Sequence, residues 1–139
     1  MTMDKLNRTL AGFEPAVLSI FRIMTGLLLF QYGVAKLLKF PVLPYFAKLT
    51  PLITAAGTIE LIGGALLILG LFTRPVAFIL SGQMAFAYFI GHMFKGDAPV
   101  FTPILNGGNA AILFCFACLY LATAGGGPFS LDATMRGKR

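Results

Sequence analysis

Four stretches of this sequence are each long and apolar enough to cross a lipid bilayer, and no other feature restricts the fold as much. A hydrocarbon core of about 30 Å takes about 20 helical residues to cross. Residues 17–37, 53–72, 75–93 and 104–124 meet that length, and among them they hold few charges: Arg22 and Lys36 in the first, Glu60 in the second and, when protonated, His92 in the third. Backbone in lipid must satisfy its own hydrogen bonds, which leaves helices or a closed barrel. Continuous apolar runs without period-2 alternation exclude the barrel. The reading is an all-α integral membrane protein, with residues 1–139 forming one domain.

Composition supports this. The chain is 58% hydrophobic and 12% charged, whereas soluble domains carry about 25% charged residues. The net charge of +6 does not point to nucleic acid, because the basic residues are scattered in ones and twos at the ends of apolar stretches, as in membrane loops. Lys5 and Arg8 precede the first apolar region, but that region is long and no small-residue cleavage site follows it, so it reads as an uncleaved span.

Prolines at 41, 44 and 51, the Thr73-Arg74-Pro75 corner and the segment 95–99 punctuate the spans. Such short connections favour antiparallel neighbours, so an up-down-up-down four-helix bundle is expected, with a short surface helix near residues 45–50. Lys5, Arg8, Arg74, Arg136, Lys138 and Arg139 fall on one side, against Lys36, Lys39, Lys48 and Lys95 on the other. The richer side places both termini in the cytoplasm. Glycines at 26 and 33 on the first span and at 57, 63, 64 and 70 on the second let helices approach closely in lipid and permit a homo-oligomer.

Ionisable groups inside a span are costly, so each calls for an explanation. Glu60 lies about 10 Å into its span at 1.5 Å per residue. It needs a proton or a cation, and both Lys36 and Arg22 are within reach of long side chains; Arg22 and Arg74 otherwise read as structural or ion-pairing residues. Counted inward from the span ends, Gln31, Glu60, Tyr88 and Asn109 fall at about 7–11 Å from one membrane surface, with Lys36, His92 and Asn106 just above. This convergence reads in two ways: a pocket for a quinone or similar amphipathic molecule, or an interhelical hydrogen-bond network. In the pocket reading Glu60 and His92 handle protons, while Gln31, Lys36, Tyr88, Asn106 and Asn109 hold the ligand. Cys115 and Cys118 sit near the centre of the fourth span, where apolar packing is the simpler role. No metal or haem signature is present.

The ordered set Arg22-x3-Gly26, Gly33-x2-Lys36-Leu37, Glu60-Leu61-x-Gly63-Gly64, Leu69-Gly70-Leu71-x-Thr73-Arg74, His92, Asn106-Gly107-Gly108 and Ser130-Leu131-Asp132 resembles the DoxX family over nearly the whole chain. The resemblance implies a small four-span protein of a prokaryotic cytoplasmic membrane, associated with redox chemistry and related to a subunit of a thiosulfate:quinone oxidoreductase. It also implies an alternative, a membrane anchor or assembly factor that recruits a soluble redox enzyme at its cytoplasmic face. A third class is a conduit for protons or small solutes. Asn109 departs from the family, in which Glu commonly follows the Asn-Gly-Gly triplet; at this position the chain has a hydrogen-bonding group that does not titrate.

Overall fold

The computed structural model describes residues 1–46 and 48–137, and for Tyr45 the backbone only. Regular structure among the described residues is helical throughout: α1 (Met3–Ala11), α2 (Glu14–Leu37), α3 (Pro51–Leu69), α4 (Thr73–Tyr88), α5 (Pro103–Asn106), α6 (Asn109–Ala124) and α7 (Leu131–Arg136). A π-helical turn, Phe89–Met93, continues α4. With that turn, α2, α3 and α4 are 24, 19 and 21 residues long and apolar enough to cross a membrane, whereas α6 is apolar but shorter. Large apolar side chains such as Phe78, Leu113 and Phe116 remain exposed, a surface that requires lipid rather than water.

The helices begin and end where side-chain chemistry dictates. Thr50 caps α3 by accepting a hydrogen bond from the Ile53 N–H at 3.2 Å, and Pro51 occupies the first turn, where its missing N–H is not needed. At the other end Gly70 takes a left-handed conformation, φ 71°, and Leu71 N–H reaches back to Leu66 O at 3.0 Å, a glycine-based stop. Instead of one helix over 104–124, two are found. Gly107 adopts φ 74° and the Asn106 carboxamide oxygen accepts from Gly108 N–H at 2.8 Å, so Asn-Gly-Gly ends α5 and resets the chain for α6. Among the described residues, the segment expected as a surface helix holds a 3-10 turn, Pro44–Phe46.

Packing is uneven. Helix α2 lies closely along α3, and α4 along α6, while the two pairs meet each other less extensively. Glycine explains the first contact. A Cβ at Gly64 would stand 2.7 Å from Phe30 N, and one at Gly33 would stand 2.6 Å from Leu61 N, so backbone touches backbone along the α2–α3 seam. Between the pairs, Leu29, Leu67, Leu80, Cys118 and Leu121 are fully buried and form the core.

One end of the bundle is closed by the C-terminal segment. Arg22, fully buried, donates to Leu67 O at 2.8 Å, to Phe129 O at 2.9 Å and to Gly126 O. Carbonyls at the end of α3 carry the negative pole of that helix. Ser19 Oγ accepts from Phe129 N–H at 3.1 Å. Asp132 accepts from the N–H groups of Phe72 at 2.8 Å and Thr73 at 2.9 Å, capping α4 in place of a local residue. Thus the start of α2, the α3–α4 turn and residues 125–132 share one end. Lys138 and Arg139, counted with the basic residues of that side, lie outside the described residues.

Two outcomes test this account. Gly64→Val should destabilise the detergent-solubilised protein by about 1–3 kcal/mol, as overpacking does, and so lower its thermal midpoint; Gly82→Ala, where a Cβ meets open space, should leave the midpoint unchanged or raise it. Burial of Asp132 opposes its charge, but the hydrogen bonds from Thr73 and Phe72 and the nearby Arg136 outweigh burial and hold the carboxyl below its usual value. The stability it contributes is present above the unfolded value of about 3.9 and is lost as pH falls through the folded value. Asp132→Asn should therefore melt earlier at neutral pH, with the difference from wild type closing in strong acid.

Candidate functional site

Where the two helix pairs diverge they leave a cavity of about 1000 Å³. Ile79, Gly82, Gln83, Phe86 and Ala87 of α4 and Ile90 of its π-helical turn are among the residues of its wall. These positions recur at intervals of three and four residues, one face of one helix. Residues of α2, α3 and α6 supply the facing walls, and the lining is mostly apolar.

Its buried end is polar. Lys36 Nζ stands 2.8 Å from Glu60 Oε1, and Gln83 Nε2 donates to the same oxygen at 3.0 Å. Glu60 is 2% exposed and Lys36 9%. Lys36 also lies over the Phe46 ring, 5.2 Å from its centroid, a favourable contact for a partly desolvated ammonium. The counterion for Glu60 is therefore Lys36, while Arg22 is taken up by backbone carbonyls at the other end of the bundle. Arg74 is exposed and makes a long contact of 3.4 Å to Ala124 O.

Two acceptors in this cluster are unmatched. Glu60 Oε2 and Gln83 Oε1 are buried and have no hydrogen-bond partner, an arrangement that costs about 1–3 kcal/mol per group. The Gln83 amide cannot be turned round to correct it, because its oxygen would then face a carboxylate.

His92, Lys95 and Asn106 line the cavity nearer its end. Tyr88 accepts from Asn106 Nδ2 at 3.2 Å, and the same nitrogen donates to Val100 O at 2.8 Å. His92 Nδ1 stands 3.0 Å from Asn106 O. A carbonyl only accepts, so Nδ1 carries the proton, and in the neutral ring Nε2 is an acceptor. Tyr88 and Asn106 thus hold the α4–α6 connection in place and fix the His92 ring.

Of the residues that the sequence brings to one depth, Lys36, Glu60, His92 and Asn106 line the cavity and Tyr88 braces it. Gln31 and Asn109 are exposed and do not line it. Depth along a helix is set by its rise, but facing is set by about 100° per residue. Gln31 is two residues beyond the buried Leu29 and so points away, and Asn109 opens α6 beyond the Asn-Gly-Gly break. Gln83 was missed, although a carboxamide within an apolar span was signal enough. Cys118 is buried in the core, and the Cys115 carbonyl and thiol contact Ser81 Oγ at 2.8 and 3.5 Å.

Removing one member of the buried pair should be costly and removing both should not. Lys36→Met alone is expected to destabilise by about 3–5 kcal/mol, the range for an uncompensated buried charge. Lys36→Met with Glu60→Leu should recover most of the loss, as read from thermal midpoints in detergent.

The sequence pattern of the DoxX family matches residues 17–93, the stretch that carries Arg22, Lys36, Glu60, Gln83 and His92. A Haemophilus influenzae protein, itself uncharacterized, is 42% identical over 126 residues, covering 88% of this chain and 93% of that protein. No solved structure matches the chain. The chain belongs to the DoxX family and is a multi-pass membrane protein.

Proposed function

We propose that this protein is a redox-associated component of a prokaryotic cytoplasmic membrane that crosses the bilayer four times and binds a quinone or quinol in the cavity between its helix pairs. The start of α2 and residues 125–132 meet at one end of the bundle, which favours an even number of crossings. The fourth is then made by α6, about 24 Å long at 1.5 Å per residue, with α5 and its turn extending it. The excess of Lys and Arg at the shared end favours cytoplasmic termini.

One observation carries the ligand. A mostly apolar cavity of about 1000 Å³ includes in its wall two residues, Glu60 and Gln83, that each hold a buried oxygen without a partner. Ligand sites combine apolar walls with a few convergent polar groups in this way, whereas a purely structural network would satisfy its members. A ring with oxygen substituents and an apolar tail fits both parts.

When bound, a quinone supplies two-electron, two-proton chemistry. Glu60 is placed to take up or return a proton, its carboxylate held by the Lys36 ammonium and by the Gln83 amide, which also fixes the angle at which it meets the cavity. His92, its Nδ1–H on Asn106 O, keeps Nε2 free for a second proton position.

The test is quinone content. Protein purified from native membranes in mild detergent should carry a lipid quinone near one per chain, measured by extraction and mass spectrometry. Gly82→Phe, which introduces bulk at a cavity-lining position where a Cβ meets nothing, should reduce that content at least tenfold with an unchanged thermal midpoint. Quinone absent from the wild type, or retained in full by Gly82→Phe, would set the reading aside in favour of recruitment of a soluble partner at the cytoplasmic face.

A further inference from the structure

A hydrogen-bonding site is specific for what it lacks. Beside Glu60 and Gln83 the missing partners are donors. Glu60 Oε2 and Gln83 Oε1 are buried acceptors with nothing to accept, and both residues belong to the cavity wall. One N–H of the Gln83 amide and one of the Lys36 ammonium are directed at Glu60 Oε1, and Lys36 is further held over the Phe46 ring. His92 adds to the same sign. With its Nδ1 proton on a carbonyl, the neutral ring offers the cavity a lone pair at Nε2.

Oxidised and reduced forms of a quinone differ in this property above all others. Quinone oxygens are carbonyls and only accept; quinol oxygens are hydroxyls and donate. An oxidised ring set against Glu60 Oε2 and Gln83 Oε1 would face acceptors with acceptors, leaving both protein oxygens orphaned. A reduced ring would satisfy them. We infer that the cavity selects the hydroxyl-donating, reduced form of its ligand, a dihydroxy aromatic ring, over the oxidised dicarbonyl form. This inference rests on the quinone reading above and specifies which redox form the site holds.

The discrimination follows from the cost of leaving a buried acceptor unmet, and amounts to roughly ten- to a hundredfold in affinity. Selective binding of the reduced form raises the midpoint potential of the bound couple by about 30 mV per tenfold for two electrons. The site would therefore act as a holder of quinol, with Glu60 as the group that meets its hydroxyl.

The experiment compares decylubiquinol with decylubiquinone by isothermal titration against the full-length protein in lipid nanodiscs, under anaerobic conditions. Wild type should bind the quinol at least tenfold more tightly. Glu60→Gln supplies the decisive contrast. Its amide oxygen must take the two donors from Lys36 and Gln83, which puts the amide nitrogen, a donor, where Glu60 Oε2 stood. The preference should then invert toward the quinone. Gln83→Met removes one orphan acceptor without changing charge and should reduce the wild-type preference severalfold, which keeps the test decisive if Glu60→Gln fails to fold. Equal affinities in wild type, or tighter quinone binding, would overturn the inference and leave the quinone site standing. Binding of neither form would overturn the quinone reading itself.

Discussion

Charge buried in a bilayer-spanning bundle is too expensive to leave unpaired, and in this chain the partners come from far along the sequence. Arg22 draws residues 126 and 129 back across the bundle and at the same time holds the end of α3. Lys36, about four turns further along the same helix face, draws Glu60. Neither cation lies on the same helix as its partners. Each therefore acts as a tertiary constraint, fixing the relative height of two or three helices more tightly than apolar contacts with lipid-like surfaces can do. The glycine seam acts between the same two helices, holding α2 and α3 backbone to backbone along the stretch that carries Lys36 and Glu60.

The cavity is a consequence of where that tightness stops. Small residues allow α2 and α3 to touch, and α4 and α6 make a second close pair, but the two pairs share only a core around Leu29, Leu67, Leu80 and Leu121. Away from that core the pairs diverge and the gap opens. Gly82 and Gly91 lie on its α4 side with open space where a Cβ would be, in contrast to the seam, where glycine is enforced by a facing backbone. One residue type thus serves two purposes: at positions 26, 33 and 64 it closes a gap, and at 82 and 91 it leaves one.

How much of this was legible in the sequence depended on whether a property is one-dimensional. Length and hydropathy located α2, α3 and α4 to within a few residues. Depth along each helix brought Lys36, Glu60 and His92 into one leaflet, with Lys36 and His92 just above Glu60, and the cavity does contain all three. Facing was harder. Counting residues from a span end gives height but not azimuth, and so Gln31 was grouped with residues that it faces away from. The Asn106-Gly107-Gly108 break was readable in principle, since Asn-Gly-Gly is poor helix and good turn, but uninterrupted hydropathy obscured it. The choice between Arg22 and Lys36 as the partner of Glu60 was not readable at all. It depends on the C-terminal segment returning to occupy Arg22, a contact across more than a hundred residues.

The two buried cations also differ in a way that separates scaffold from site. Arg22 donates to carbonyls around it, and Ser19 and Asp132 beside it also bond the protein's own backbone, while the buried Thr73 hydroxyl at this end goes without a partner. In the Lys36–Glu60–Gln83 cluster two donors meet at a single carboxylate oxygen while two other oxygens go without. A polar network evolved only to hold helices together gains nothing from that imbalance, since one more hydroxyl on a neighbouring helix would remove it. Two unmet acceptors on side chains of one largely apolar cavity wall, each side chain already oriented by its other atoms, are the feature on which the proposed ligand site rests.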